Sequence, residues 1–152
     1  MIKSICVMVF SVLFACTTAT SAETTEINKG YFTIRIPKGF NVQETKAVES
    51  DIFYTISHND KPYLRIYVGN APRFPRIGAV SDQDALLLRT RDLTIISKWT
   101  DKQRVALELL VARTAGPDWP MFVHAWTIAD APEKQVSIRM LLSITVDNSV
   151  VQ

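Results

Sequence analysis

Apolar and polar residues alternate one by one in several short runs of this chain, and this alternation limits its fold more than any other feature. In residues 31–36 every second side chain, from Phe32 to Ile36, is apolar. Successive side chains of a β-strand point to opposite faces of a sheet, so the run predicts a half-buried strand. Pro37 and Gly39 predict its end, because proline cannot donate to a strand ladder and glycine permits a turn.

Further strands are predicted by the same alternation or by β-branched and aromatic residues. They lie at residues 52–57, 63–68, 121–128 and 136–146. Residues 58–62 predict a hairpin loop, and such short connections make the pairing antiparallel. The last strand is apolar at nearly every position, which predicts cover on both faces. Residues 23–29 are polar and are expected to be a loose leader.

One helix is predicted after the strand at residues 63–68. Ser81 suits the N-cap, Asp84 takes the capping-box position, and residues 85–91 are rich in helix formers. The helix is expected to end near Asp92. Residues 104–113 fit two structures, because their apolar side chains alternate as in a strand while most of them also favour a helix; the strand is preferred.

These elements together predict an α+β domain with a mainly antiparallel sheet and one or two helices packed on it. The motif Phe-x-Ile-x-Ile-Pro-x-Gly-Phe at residues 32–40 resembles the first strand and turn of the PsbP/Mog1-like family. The resemblance implies an antiparallel sheet flanked by helices, and binding or assembly work with no fixed chemistry.

The N-terminus has the three parts of an export signal. Lys3 supplies a positive charge, residues 5–15 are almost wholly apolar, and small residues lead to Ala22. We therefore expect a signal peptide at residues 1–22 and a single globular domain at residues 23–152. An alternative is a lipoprotein signal at residues 1–15, with Cys16 lipidated and the protein anchored to a membrane only in that case.

The rest of the chain contains few chemical groups on which a function could depend. Both cysteines, Cys6 and Cys16, lie before residue 23, which excludes disulfides, cysteine nucleophiles and cysteine zinc sites from residues 23–152. The mature part would carry 16 basic residues (17 minus Lys3) against 15 acidic ones. This balance does not favour nucleic-acid binding. No phosphate loop, dinucleotide motif or metal-ligand cluster appears, so no cofactor is predicted.

Two groups of residues are candidate binding surfaces. The first consists of Arg73, Phe74 and Arg76, which lie between or beside two prolines. Arginine with an aromatic side chain is common at interfaces, and proline lowers the conformational entropy that a loop loses on binding. The second is Trp119 and Trp126. The alternatives are an ordinary exposed loop for the first group and core packing for the second.

His124 lies in the middle of a predicted strand and is either a buried histidine or a site residue. The leading hypothesis is a non-enzymatic envelope protein, periplasmic or secreted, that binds a protein or an envelope component. The alternative is a small hydrolase or ligand-binding enzyme that uses His124 with a carboxylate brought close by folding. A structural subunit whose last strand pairs with a neighbour is a third possibility.

Overall fold

The computed structural model describes residues 23–47, 51–74, 76, 83–89, 94–101, 104–113, 121–128 and 132–146. Within these residues the chain forms ten strands and one helix, α1 (Lys134–Leu142). The strands are β1 (Thr24–Asn28), β2 (Phe32–Pro37), β3 (Asn41–Lys46), β4 (Ile52–His58), β5 (Lys61–Gly69), β6 (Gln83–Arg89), β7 (Thr94–Asp101), β8 (Arg104–Ala112), β9 (Phe122–Thr127) and β10 (Thr145–Val146).

The described strands form two antiparallel sheets. The smaller has the order β1-β2-β10, and the larger has the order β3-β4-β5-β9-β8-β7-β6. The larger sheet consists of two meanders, β3-β4-β5 and β6-β7-β8-β9, which meet where β5 pairs with β9. Three strands, β9, β8 and β7, therefore separate β5 from β6.

The predicted strands at the start and in the middle of the chain are confirmed as β2, β4, β5 and β9, and the preferred strand at residues 104–113 is confirmed as β8. The predicted hairpin joins β4 to β5. Its two central residues, Asn59 and Asp60, have φ of 49° and 60°. Asn and Asp tolerate this left-handed conformation, and the right-handed strand twist favours it in two-residue hairpins.

The predicted α+β class is wrong, because the described chain is nearly all-β with a single short helix. The helix predicted from Ser81 to Asp92 is the main cause. Residues 83–89 instead form β6, which pairs with β7 in the register Leu88 to Ile95. Helix propensity is a weak preference that the pairing of a neighbouring strand overrides. Ser81 and Asp92 themselves lie outside the described residues.

The strand predicted at residues 136–146 is also wrong over most of its length. Residues up to Leu142 belong to α1, and only Thr145–Val146 form a short strand, β10. The buried residues of the helix are Val136, Ser137, Met140 and Leu141. Their spacing of four residues is the period of a helix face, which the dense apolar sequence hides.

The predicted leader at residues 23–29 is a strand instead. β1 pairs along its whole length with β2, from Thr24 opposite Pro37 to Asn28 opposite Thr33. It buries no residue fully, and only Ile27 is half-buried. Backbone hydrogen bonds to β2 can form with any side chains, so an exposed edge strand leaves almost no apolar pattern to read.

The hydrophobic core joins β2, one face of the larger sheet and α1. Its largest fully buried apolar side chains are Phe32, Ile34, Ile56, Leu64, Ile66, Met140 and Leu141. The opposite face of the larger sheet is buried in its middle as well, at Tyr67, Ala106, Glu108, His124 and Trp126. We call this the second face, and it carries the candidate site.

The two predicted signals, at residues 1–22 and 1–15, lie outside the described residues. Within the part of the chain that the structure describes, the single helix is too short and too polar to cross a membrane.

Adjacent leucines of α1 provide a test of the helix. Leu141 is fully buried, whereas Leu142 is 55% exposed. We expect Leu141→Ala to lower the free energy of unfolding by about 2–5 kcal/mol, because it leaves a cavity in the core. Leu142→Ala, the matched control, should change it by less than about 0.5 kcal/mol. Urea unfolding measures both, and equal losses for the two variants would contradict the helix and its orientation.

Candidate functional site

The chain that leaves β5 lies against the second face at Phe74 and Arg76. The ring of Phe74 lies edge-on to that of His124, with 5.7 Å between centroids. The guanidinium carbon of Arg76 lies 4.5 Å from the centroid of the Trp126 ring. His124 and Trp126 both belong to β9. We call residues 70–76 the crossing segment; its residue 75 is outside the described residues.

Glu108 of β8 and His124 of β9 form a hydrogen-bonded pair beneath the crossing segment. Nε2 of His124 donates to Oε1 of Glu108 at 2.5 Å, and neither side chain has any exposure to solvent. Glu108 lies opposite Trp126 and Leu110 lies opposite His124 in the pairing of β8 with β9. Because Trp126 and His124 are two residues apart on β9, they share a face, and Glu108 and His124 are diagonal neighbours on it. A buried carboxylate is costly unless it is hydrogen-bonded, so this contact stabilises Glu108 in the sheet.

The same carboxylate oxygen also fixes the backbone of the crossing segment. The N–H of Arg76 donates to Oε1 of Glu108 at 2.6 Å. This distance is at the short end for N–H···O hydrogen bonds. The bond holds the main chain of Arg76 against β8, while the side chain of Arg76 is exposed. A group inside the sheet thus fixes the backbone from which an exposed arginine side chain extends.

The start of the crossing segment is fixed by two further contacts. The hydroxyl of Tyr67 donates to Oδ1 of Asp51 at 3.0 Å and accepts from the N–H of Ala71 at 2.8 Å. Oδ1 of Asn70 accepts from the N–H of Met121 at 2.9 Å. Burial raises the pKa of Tyr67, so its hydroxyl keeps the proton that it donates to Asp51. The segment is therefore held at both ends.

Gly69 is required by a close approach at the end of β5. A Cβ at this position would collide with Oδ1 of Asp51 and with the hydroxyl group of Tyr67. The hydroxyl of Tyr67 donates to this oxygen of Asp51 and accepts from the N–H of Ala71. A side chain at position 69 and the contact between Tyr67 and Asp51 therefore exclude each other.

The structure joins residues that the sequence presents as separate candidates. The four that it brings together are Phe74, Arg76, His124 and Trp126. Arg73 is exposed in the same segment. Trp119 and Cys16 lie outside the described residues, so their predicted roles stay predictions.

Sequence reasoning missed the groups that hold the segment, namely Glu108, Tyr67, Asp51 and Asn70. Glu108 left one signal, because it is the single acidic residue in the otherwise mostly apolar stretch 104–112. An isolated acid on the face of a buried strand indicates a partner elsewhere in the fold. Tyr67 left none, because tyrosine is common in strands.

The site has acid–base groups without access to solvent. A histidine and a carboxylate within hydrogen-bond distance can exchange a proton, which is the geometry that the enzymatic alternative required. Yet both side chains are fully buried under the crossing segment. Among the described residues no group of three or more His, Cys, Asp or Glu side chains could hold a metal ion.

No protein-family model, no curated protein and no solved structure matches this chain.

The pair of Glu108 and His124 can be tested by removing the carboxylate. Glu108→Leu leaves the ring of His124 and the N–H of Arg76 without their acceptor, so we expect the free energy of unfolding to fall by about 3–5 kcal/mol. In the double variant Glu108→Leu/His124→Leu the buried histidine is gone as well, and at least about 1 kcal/mol should be recovered. Urea unfolding measures both. A single variant as stable as the native protein would contradict the role of the pair.

Proposed function

We propose that this chain is a non-enzymatic protein of the cell envelope that binds a protein or an envelope component through its crossing segment. The observation that carries the proposal is the way the segment is held. Its backbone is hydrogen-bonded at Ala71 and at Arg76, while the side chains of Arg73 and Arg76 are exposed.

A segment fixed before binding is suited to recognition. Loops that become ordered on binding lose conformational entropy, and this loss weakens the complex. Here Tyr67 and Glu108 hold the main chain in place, and Pro72 further restricts it. Arginine and aromatic residues are the types enriched at protein interfaces, which supports a protein partner.

The enzymatic alternative finds less support. It would use His124 with Glu108 as an acid–base pair, but a general base must come within hydrogen-bond distance of its substrate. Both side chains have no exposed surface, and Glu108 is already bonded to the backbone of Arg76. These contacts support a role of the pair in holding the crossing segment rather than in catalysing a reaction.

Export to the periplasm or beyond is the second part of the proposal. It is supported by the order of three parts in residues 1–22, namely a positively charged start, an apolar stretch and a run of small residues. Glu23 would then be the first mature residue. A lipidated Cys16 would instead leave the protein anchored to a membrane surface.

Intact-mass measurement of the protein purified from its native cells tests the export signal. We expect the mass of residues 23–152 without modification. A mass of residues 16–152 with added acyl chains would establish the lipoprotein alternative. A chain that keeps residues 1–22 and carries no lipid would contradict export altogether.

Photo-crosslinking in the native cell envelope tests the crossing segment. A photoreactive amino acid in place of Arg73 should give discrete crosslinked products, because this side chain is exposed on the proposed contact surface. The same amino acid in place of Arg139, which is exposed on α1, is the matched control and should give none of them.

With Arg73→Ala/Arg76→Ala in the chain, capture of the identified partner should fall at least about tenfold. Equal products from both positions, or unchanged capture, would contradict the assignment.

A further inference from the structure

Two arginines lie beside one tryptophan on the second face. The guanidinium carbon of Arg76 is 4.5 Å from the centroid of the Trp126 ring. Arg65 of β5 lies directly opposite Trp126 in the pairing of β5 with β9. Cβ atoms of directly opposite residues are about 5 Å apart, so both cationic side chains start next to the same indole.

A third arginine follows from the chain itself. Arg73 precedes Arg76 by three residues, which places their Cα atoms within about 11 Å of each other. The side chains of Arg65, Arg73 and Arg76 are all exposed. We call these three arginines and Trp126 the arginine surface.

The arginine surface is not neutralised within the described part of the chain. The described ion pairs of Arg35 and Lys38 lie elsewhere, on the smaller sheet. Two carboxylates beside the crossing segment are bonded to other groups, because Glu108 accepts from His124 and from the backbone of Arg76, and Asp51 accepts from Tyr67. Like charges on one surface repel each other, and an anionic ligand removes this repulsion.

The position of the Arg76 guanidinium over the Trp126 ring favours one type of anion. When a guanidinium lies over an aromatic ring, its five N–H donors remain at the edge of its plane, and this edge matches the two oxygens of a carboxylate. The backbone bond to Glu108 fixes the main chain from which this side chain extends. The surface is thus arranged for carboxylates that approach from solvent at Arg76 and at its two neighbours.

The number of charges favours an acidic protein segment over a membrane. Binding to anionic lipid typically uses clusters of about 4–8 lysines and arginines, whereas three arginines form this surface. The whole chain is close to neutral, with 17 basic and 15 acidic residues. Met121, which is 48% exposed and bonded through its N–H to Asn70, adds an apolar contact beside the segment.

We infer that the arginine surface binds an acidic peptide segment of a protein partner, with side-chain carboxylates on Arg65 and Arg76 and an apolar residue against Met121. This inference rests on the proposed function, because it names the chemistry of the partner that the crossing segment binds.

Titration of the processed protein, in the form purified from its native cells, with synthetic peptides tests the inference. The probe is a peptide of alternating Asp, Glu and Leu, and its matched control has Asn and Gln at the acidic positions. We expect the acidic peptide to bind at least about tenfold more tightly, and its affinity to fall as salt is added. Amide NMR signals should shift at residues 65, 73 and 76.

Charge-removing variants complete the test. Arg65→Gln and Arg76→Gln should each weaken binding of the acidic peptide at least about fivefold, whereas Arg139→Gln, with the same change of charge on α1, should have less than about a twofold effect. Arg65 makes no described packing contact with the crossing segment, so we expect Arg65→Gln to stay folded. This variant therefore tests the inference even if Arg76→Gln unfolds.

The outcomes separate the inference from the proposed function. Equal affinity for the acidic and amide peptides, or equal effects of Arg65→Gln and Arg139→Gln, would overturn the inference even if position 73 crosslinks to a partner. Arginine-dependent binding to vesicles of anionic lipid without binding to the peptide would overturn it in favour of a membrane surface. Peptide binding without any crosslink at position 73 would uphold the anion site and refute the crossing segment as the contact with the partner.

Discussion

A carboxylate with no contact to water has to find its hydrogen bonds inside the protein, and in this fold that requirement links the sheet to its surface. Glu108 meets it with the ring of His124 and with the backbone of Arg76. The first bond joins β8 to β9 across the second face. The second fixes the chain on its way from β5 to β6. If Glu108 were apolar, the N–H of Arg76 would lose its acceptor and only the contact of its side chain with Trp126 would remain among those described.

The strands that could be predicted are those with one face in the core. β2, β4, β5 and β9 combine alternation with β-branched or aromatic residues, and these features survive in the sequence because burial selects them. β1 and β3 leave almost no pattern, since nearly all their side chains are exposed. β6 is wrongly predicted as a helix because Ala85 to Leu88 suit a helix. Only the pairing with β7, set by residues further along the chain, decides their structure.

The candidate site was found in pieces for the same reason. Arg76 and Phe74 could be selected by residue type, and His124 and Trp126 by their place in a strand. Their meeting depends on the strand order, in which β9, β8 and β7 lie between β5 and β6. Strand order is a property of long-range pairing, and local sequence does not specify it. Glu108 belongs to the same class, because its partners are 16 and 32 residues away.

Stability alone does not explain why the second face keeps a buried ionisable pair. Replacement of such a pair by apolar residues of similar volume is often neutral or stabilising, so an apolar second face would serve the fold equally well. An apolar residue at position 108 would leave the N–H of Arg76 without its acceptor and would free the crossing segment to move. The pair therefore gives positional control of a surface cation, which a purely apolar core cannot supply. Under the proposed function, this control gives Glu108 and His124 a use in recognition although both side chains are fully buried.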